Sequence, residues 1–137
     1  PLDGLAEVTA AKGESNVSKL MFACFSSQAQ GDGDAVHGFK APVGLTLVGV
    51  CVRPEAFTGT PTGFSVDVNV GETEVVKALA ANTAGTPGEW KTGHLGGTAV
   101  PVAIAAGDDV TVDVNFTGGT TPTADYDLQL MLLVGTA

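Results

Sequence analysis

Basic residues, cysteine, histidine and tryptophan are all scarce in this chain of 137 residues, and each shortage removes a class of function. Six Lys and Arg stand against 15 Asp and Glu, for a formal net charge of −9. Phosphate binding is largely the work of Lys and Arg, so no nucleic-acid partner is expected. The acidic groups are scattered, as on a solvated surface. The two cysteines, Cys24 and Cys51, sit in apolar runs without CxxC spacing, which argues against a metal. They read as reduced, buried small hydrophobes, with a disulfide between neighbouring strands as the alternative. The only histidines, His37 and His94, lie far apart with no convergent partners marked, so they read as surface-loop residues and not as catalytic ones. No apolar run approaches the roughly 18 residues of a helical membrane span, and no basic-then-apolar leader opens the chain. Removal of an initiator Met would leave a start such as Pro1, which predicts synthesis in the host cytoplasm without secretion; a trimmed chain would begin the same way. Neither G-x-x-x-x-G-K-[ST] nor G-x-G-x-x-G occurs, so nucleotide binding has no support. Asp32-Gly33-Asp34 resembles the opening of a calcium loop, but the twelfth position counted from Asp32 is Val43, where an EF-hand needs Glu. Neither a cofactor nor a metal is implied.

What is present points to short strands. Apolar residues make up 44% and charged ones 15%, with 19 Gly and 7 Pro beside the apolar runs, a globular chain with many turns. The stretch 105–137 organises it. Val110, Val112, Val114 and Phe116 share one parity, with Thr111, Asp113 and Asn115 on the other, so this run predicts a strand with one wet face. Leu128, Leu130, Leu132 and Val134 share a parity in a second run. There Met131 and Leu133 predict a strand covered on both sides. Asp108 is expected to bond a nearby backbone N–H in the turn after Gly107.

Earlier in the chain, 17–25 reads as a strand, 28–34 as a polar loop and 35–40 as a short edge piece before Pro42. The run 44–52 is almost wholly apolar and predicts a central strand buried on both faces. Residues 55–63 read as a loop. Residues 64–70 alternate cleanly and are followed by Gly71-Glu72, which suits a type II′ hairpin into 73–81. Residues 82–97 read as a long loop or a concealed strand. Pro101 limits 98–104 to an edge strand. Ser65-Val-Asp-Val-Asn-Val-Gly71 echoes Thr111-Val-Asp-Val-Asn-Phe-Thr-Gly118, as two similarly placed strands would. About eight short strands with turns between them predict an all-β, jelly-roll-like antiparallel β-sandwich over 17–137, behind an extended N-terminal arm over 1–16.

Two segments carry a resemblance. Pro61–Val70 (P-T-G-F-S-V-D-V-N-V) resembles a P-T-G-x-x-x-V-D-V-x strand of small virion proteins of tailed bacteriophages. Residues 104–132 resemble their A-A-G-D-x-[hydrophobic]-x-V-D-V…G-x-T-x-P-x-x-D-L-x-[hydrophobic]-x-L signature. The similarity covers about half the chain. It implies a jelly-roll domain of a capsid decoration (cement) protein or of a head or tail fibre. In it Gly107 and Asp108 are turn residues, the valines are core, and Asp125 opens the last strand. None of these is catalytic.

A domain standing nearly alone behind a short arm favours decoration over fibre. The expected protein is therefore a non-enzymatic capsid decoration protein on the outer surface of a virion. It would bind the major capsid protein, be a homodimer or homotrimer, and have no membrane partner. The candidate contacts are Leu2, Leu5 and Val8 on the arm and Trp90, His94 and Leu95 in the long loop. The alternative is a glycan- or receptor-binding fibre domain that stacks a sugar on Trp90 or Tyr126.

Overall fold

The computed structural model describes residues 19–81, 91–93 and 101–134. Nine strands lie in these segments: β1 (Lys19–Gln30), β2 (Gly33–Lys40), β3 (Leu45–Thr58), β4 (Gly63–Val70), β5 (Thr73–Ala81), β6 (Lys91–Gly93), β7 (Val102–Ile104), β8 (Asp109–Thr117) and β9 (Thr123–Val134). They form two antiparallel sheets. The first runs β1-β9-β3-β6, with β7 also on β3, and the second runs β2-β8-β4-β5. The chain crosses between the sheets repeatedly, and first and last strands become neighbours. That order is the jelly roll. The expected fold class holds, with one strand more than the eight anticipated because two three-residue strands share β3.

Alternation explains the core. Leu128, Leu130 and Leu132 of β9 and Leu47, Val50 and Val52 of β3 face Val66 and Val68 of β4 and Val110, Val112 and Val114 of β8, all essentially without solvent contact. Their parity is the one marked in the sequence on β8 and β9. On β3 a bulge at Val48 shifts the inward set from Leu45 and Leu47 to Val50 and Val52. The run there looks uniformly apolar because the inward parity changes halfway along it. Thr46, Val48 and Cys51 are half-buried on the outer side, so β3 is central but not equally covered on its two faces.

Several local expectations hold. Gly71 has φ +62° between β4 and β5, as a type II′ turn requires of its first central residue. The Asp108 carboxylate accepts from the Ala105 N–H at 3.0 Å, and Gly107 turns at φ +91°. β2 lies at the edge of the second sheet, and β6 is a strand concealed in the long loop-like stretch.

Two boundaries differ from expectation. β1 continues to Gln30 and β3 to Thr58, through segments read as loop. Bulges between Ser27 and Gln30 and between Pro54 and Ala56 absorb the irregularity and let pairing resume. Pro54 is tolerated because β6 meets β3 only at Val50–Val52, leaving β3 an edge at that point among the described residues.

Candidate functional site: the outer face of the first sheet

The six contact residues singled out in the sequence, Leu2, Leu5, Val8, Trp90, His94 and Leu95, lie outside the described residues, as does the arm. The described residues present a different candidate. On the outward side of the first sheet, cross-strand register builds four rows over β1, β9 and β3. They are Leu20–Leu133–Thr46, Phe22–Met131–Gly49, Cys24–Gln129–Cys51 and Ser26–Asp127–Arg53. The first two rows are apolar. Leu20 is 57% exposed and Phe22 47%. The Met131 methyl lies where a Cβ on Gly49 would be, so that glycine lets methionine fold flat over β3. Met131 and Leu133 are half-buried with no layer of described residues over them. The expectation that β9 is covered on both sides is corrected accordingly. An apolar second parity marks an apolar face, and among the described residues this one is open.

The fourth row is a polar belt. Arg53 Nη2 donates to Asp127 Oδ2 at 2.7 Å and to Glu55 Oε2 at 3.0 Å, and Ser26 Oγ donates to Asp127 Oδ1 at 2.7 Å. The Ser26 hydroxyl, and then the Arg53 guanidinium, hold the Asp127 carboxyl below its usual range. A shallow notch of about 130 Å³ adjoins the belt, lined among others by Ser27, Gln28, Glu55 and Asp125. The face thus passes from apolar to charged within a few residues of strand, the pattern of an apolar interface centre with a polar rim.

The cysteines share the third row, with Gln129 between them. Adjacent strands are spaced about 4.8 Å apart, so Cα atoms two strands apart lie beyond the roughly 7 Å limit for a disulfide. They do not occupy neighbouring strands as the disulfide alternative required. Cys24 is exposed and Cys51 half-buried, which also corrects the expectation that both are buried.

His37 is the other correction. It is not a surface-loop residue. It shares the inward parity of Phe39 on β2, stacks on Phe25 at 5.0 Å between ring centroids, and its Nε2 lies 2.7 Å from the Tyr126 hydroxyl. Tyr126 is buried among Phe64 and His37, so it offers no platform for a sugar ring. Burial lowers the His37 pKa. Burial also pushes the Tyr126 hydroxyl up to about 12, against the opposing pull of a Ser27 hydrogen bond.

The lowered His37 contributes stability above its unfolded value of about 6.5, and loses it as pH falls through the folded value. The raised Tyr126 contributes stability below about 10, and loses it as pH rises through about 12. Urea unfolding as a function of pH should therefore show acid and alkaline limbs. His37→Gln should flatten the acid limb where it begins, just below pH ~6.5 and above the range in which Asp127 contributes, and Tyr126→Phe the alkaline one. An acid limb equally steep in His37→Gln would place its origin elsewhere.

Among the described residues, no group of three or more His, Cys, Asp or Glu is placed to hold a metal ion. The outer face of the second sheet is polar. Asp67 and Asp113 stand directly opposite each other, Asn69 Nδ2 donates to Asp113 at 3.0 Å, and Asn115 Nδ2 donates to Asp67 at 2.9 Å.

No protein-family model matches the chain, and no curated protein matches it. Among solved structures, it is similar to a chain of the acid-stable capsid structure of Helicobacter pylori bacteriophage KHP30. The identity is 17% and the TM-score 0.47, over 88% of this chain and 90% of that one. It is also similar to a chain of the infectious bursal disease virus Gx strain, at 15% identity and a TM-score of 0.35, over 87% of this chain and 32% of that one. A chain of the Gt strain of the same virus gives 17% and 0.36, over 90% of this chain and 37% of that one. The present chain therefore spans about a third of the two bursal disease virus chains. The jelly-roll assignment rests on strand order and not on these likenesses.

Proposed function

We propose that this chain is a non-enzymatic virion structural protein that decorates a bacteriophage head and ties neighbouring major capsid subunits together. The observation that carries the reading is where the two phage-like segments meet. Pro61-Thr62-Gly63, opening the first, packs against Gly118-Gly119 of the second: Thr62 N–H donates to the Thr117 carbonyl at 2.8 Å, and the Thr120 N–H to that of Gly59 at 2.9 Å. The resemblance therefore falls on one joined structural unit and not on two unrelated strands. The remote likeness to the KHP30 capsid chain adds nothing to this.

The mechanism is burial of surface between capsomers. A stable contact buries about 1,200–2,000 Å² in total, and many copies multiply a modest affinity per site. The proposed contacts are the arm with Leu2, Leu5 and Val8, the stretch with Trp90, His94 and Leu95, and the open face around Met131 and Leu133. Deletion of residues 1–15 should leave a folded domain that no longer occupies capsids. Met131→Lys, on the outside of the sheet, should lower occupancy with little change in melting temperature. Full occupancy by both variants would remove the arm and the open face from the account. A glycan-binding fibre domain loses the Tyr126 half of its case, because that ring is buried.

A further inference from the structure

We propose that two copies of this chain join by antiparallel pairing of β1 with β1 about a two-fold axis, making the first sheets of the two copies continuous. Among the described residues β1 has a strand on one side only, β9. It is 12 residues long, and a long edge with apolar side chains is a template for another strand.

The exposure pattern selects the mode of contact. Leu20, Met21 and Phe22 are consecutive and are 57%, 43% and 47% exposed. Leu20 and Phe22 point to the outer face. Met21 has the inward parity of its partner Leu132, which is buried. Among the described residues, both faces and the edge of this end of β1 are therefore uncovered together. A partner laid on one face would cover Leu20 and Phe22 and leave Met21 wet. Strand addition covers all three, because its own side chains extend both faces.

Charge selects the occupant. Copies with a net charge of −9 repel except where a contact is free of acid, and no Asp or Glu occurs from Ser15 to Gly31. The segment also matches itself. With the axis at Phe22, each Leu20 faces the other copy's Cys24 on the outer side, and each Met21 faces its Ala23 on the inner side. Parity is kept, and no like charges are opposed within the paired core. A two-fold contact of this kind is isologous and closes at two copies.

Analytical ultracentrifugation of the purified chain at micromolar concentration should give twice the 13.7 kDa of one chain. Phe22→Lys sets two cations against each other at the axis and should raise the dissociation constant at least ~100-fold. Its far-UV circular dichroism should be unchanged, because Phe22 lies outside the core. Hydrogen exchange should show concentration-dependent protection of β1 amides that point away from β9. A monomer or a trimer across the concentration range overturns the proposal. So does a dimer that survives Phe22→Lys, or one without protection along β1, which would mean a face contact instead. The inference is independent of capsid binding. A monomer that still occupies shells would sink the dimer alone, and a dimer that ignores shells would sink the decoration reading alone.

Discussion

Gly119→Ala should cost about 2–5 kcal/mol of unfolding free energy, far more than Gly71→Ala. Gly119 has φ +81°, a region that costs an L-residue roughly 1–2 kcal/mol. A Cβ there would also run into the Gly59 carbonyl oxygen and lie 3.1 Å from Pro61 Cα. These are backbone and ring atoms of the opposite loop, which cannot turn aside as a side chain can. Forcing them apart adds about 1–3 kcal/mol of overpacking. Gly59 meets the reciprocal obstacle, with φ +77° and Pro122 Cα at 2.8 Å from its Cβ position. Gly71 has a similar φ of +62° but open space around it, so Gly71→Ala carries the conformational cost alone, about 1 kcal/mol. Urea titration of both variants separates the two contributions. Equal losses would mean that the β3–β4 and β8–β9 loops are not in contact.

Asn69→Ala combined with Asn115→Ala should cost about 2–3 kcal/mol, and part of that loss should return in high salt. The echo between the two V-D-V-N runs becomes physical here. Antiparallel pairing of β4 with β8 sets Asp67 directly opposite Asp113, and like charges so placed destabilise a sheet. Each run then supplies the remedy for the other. Its Asn, two residues beyond its Asp, reaches diagonally to the partner strand's carboxylate. Asp113 also accepts from the Ala35 N–H at 2.8 Å, anchoring the bulged start of β2. Hydrogen bonds to charged groups contribute about 1.5–3 kcal/mol each, less where solvent competes, as it does on this face. Removing both amides leaves two facing carboxylates whose repulsion salt screens. A double variant as stable as the parent at low salt would show that the Asn side chains do not serve this purpose.

Much of the fold was legible because the sandwich is built on alternation. The inward valines of β8 and leucines of β9 follow from parity, and the turns at Gly71 and Gly107-Asp108 follow from residue chemistry. Elsewhere two physical features blur the reading. Bulges carry β1 and β3 through Gln30 and Thr58 although composition there favours loop. His37 falls just after the irregular start of β2, where parity cannot be counted from a neighbouring run, so its place against Phe25 and Tyr126 was not visible. The open face was half legible. The apolar second parity of β9 was there to read, but periodicity does not distinguish a face covered by its own chain from one left for a partner. Periodicity marks Leu20 and Phe22 simply as part of a strand, and only the sheet order places them beside Met131 and Leu133.

The decoration reading is tested most directly by cosedimenting the purified protein with undecorated phage capsids and measuring the bound ratio by gel densitometry. The account predicts saturation at a fixed stoichiometry to the major capsid protein, together with a rise in the shell's thermal or mechanical resistance. Absence of binding at concentrations well above those of a functional contact would contradict it, and the fibre reading would then take its place.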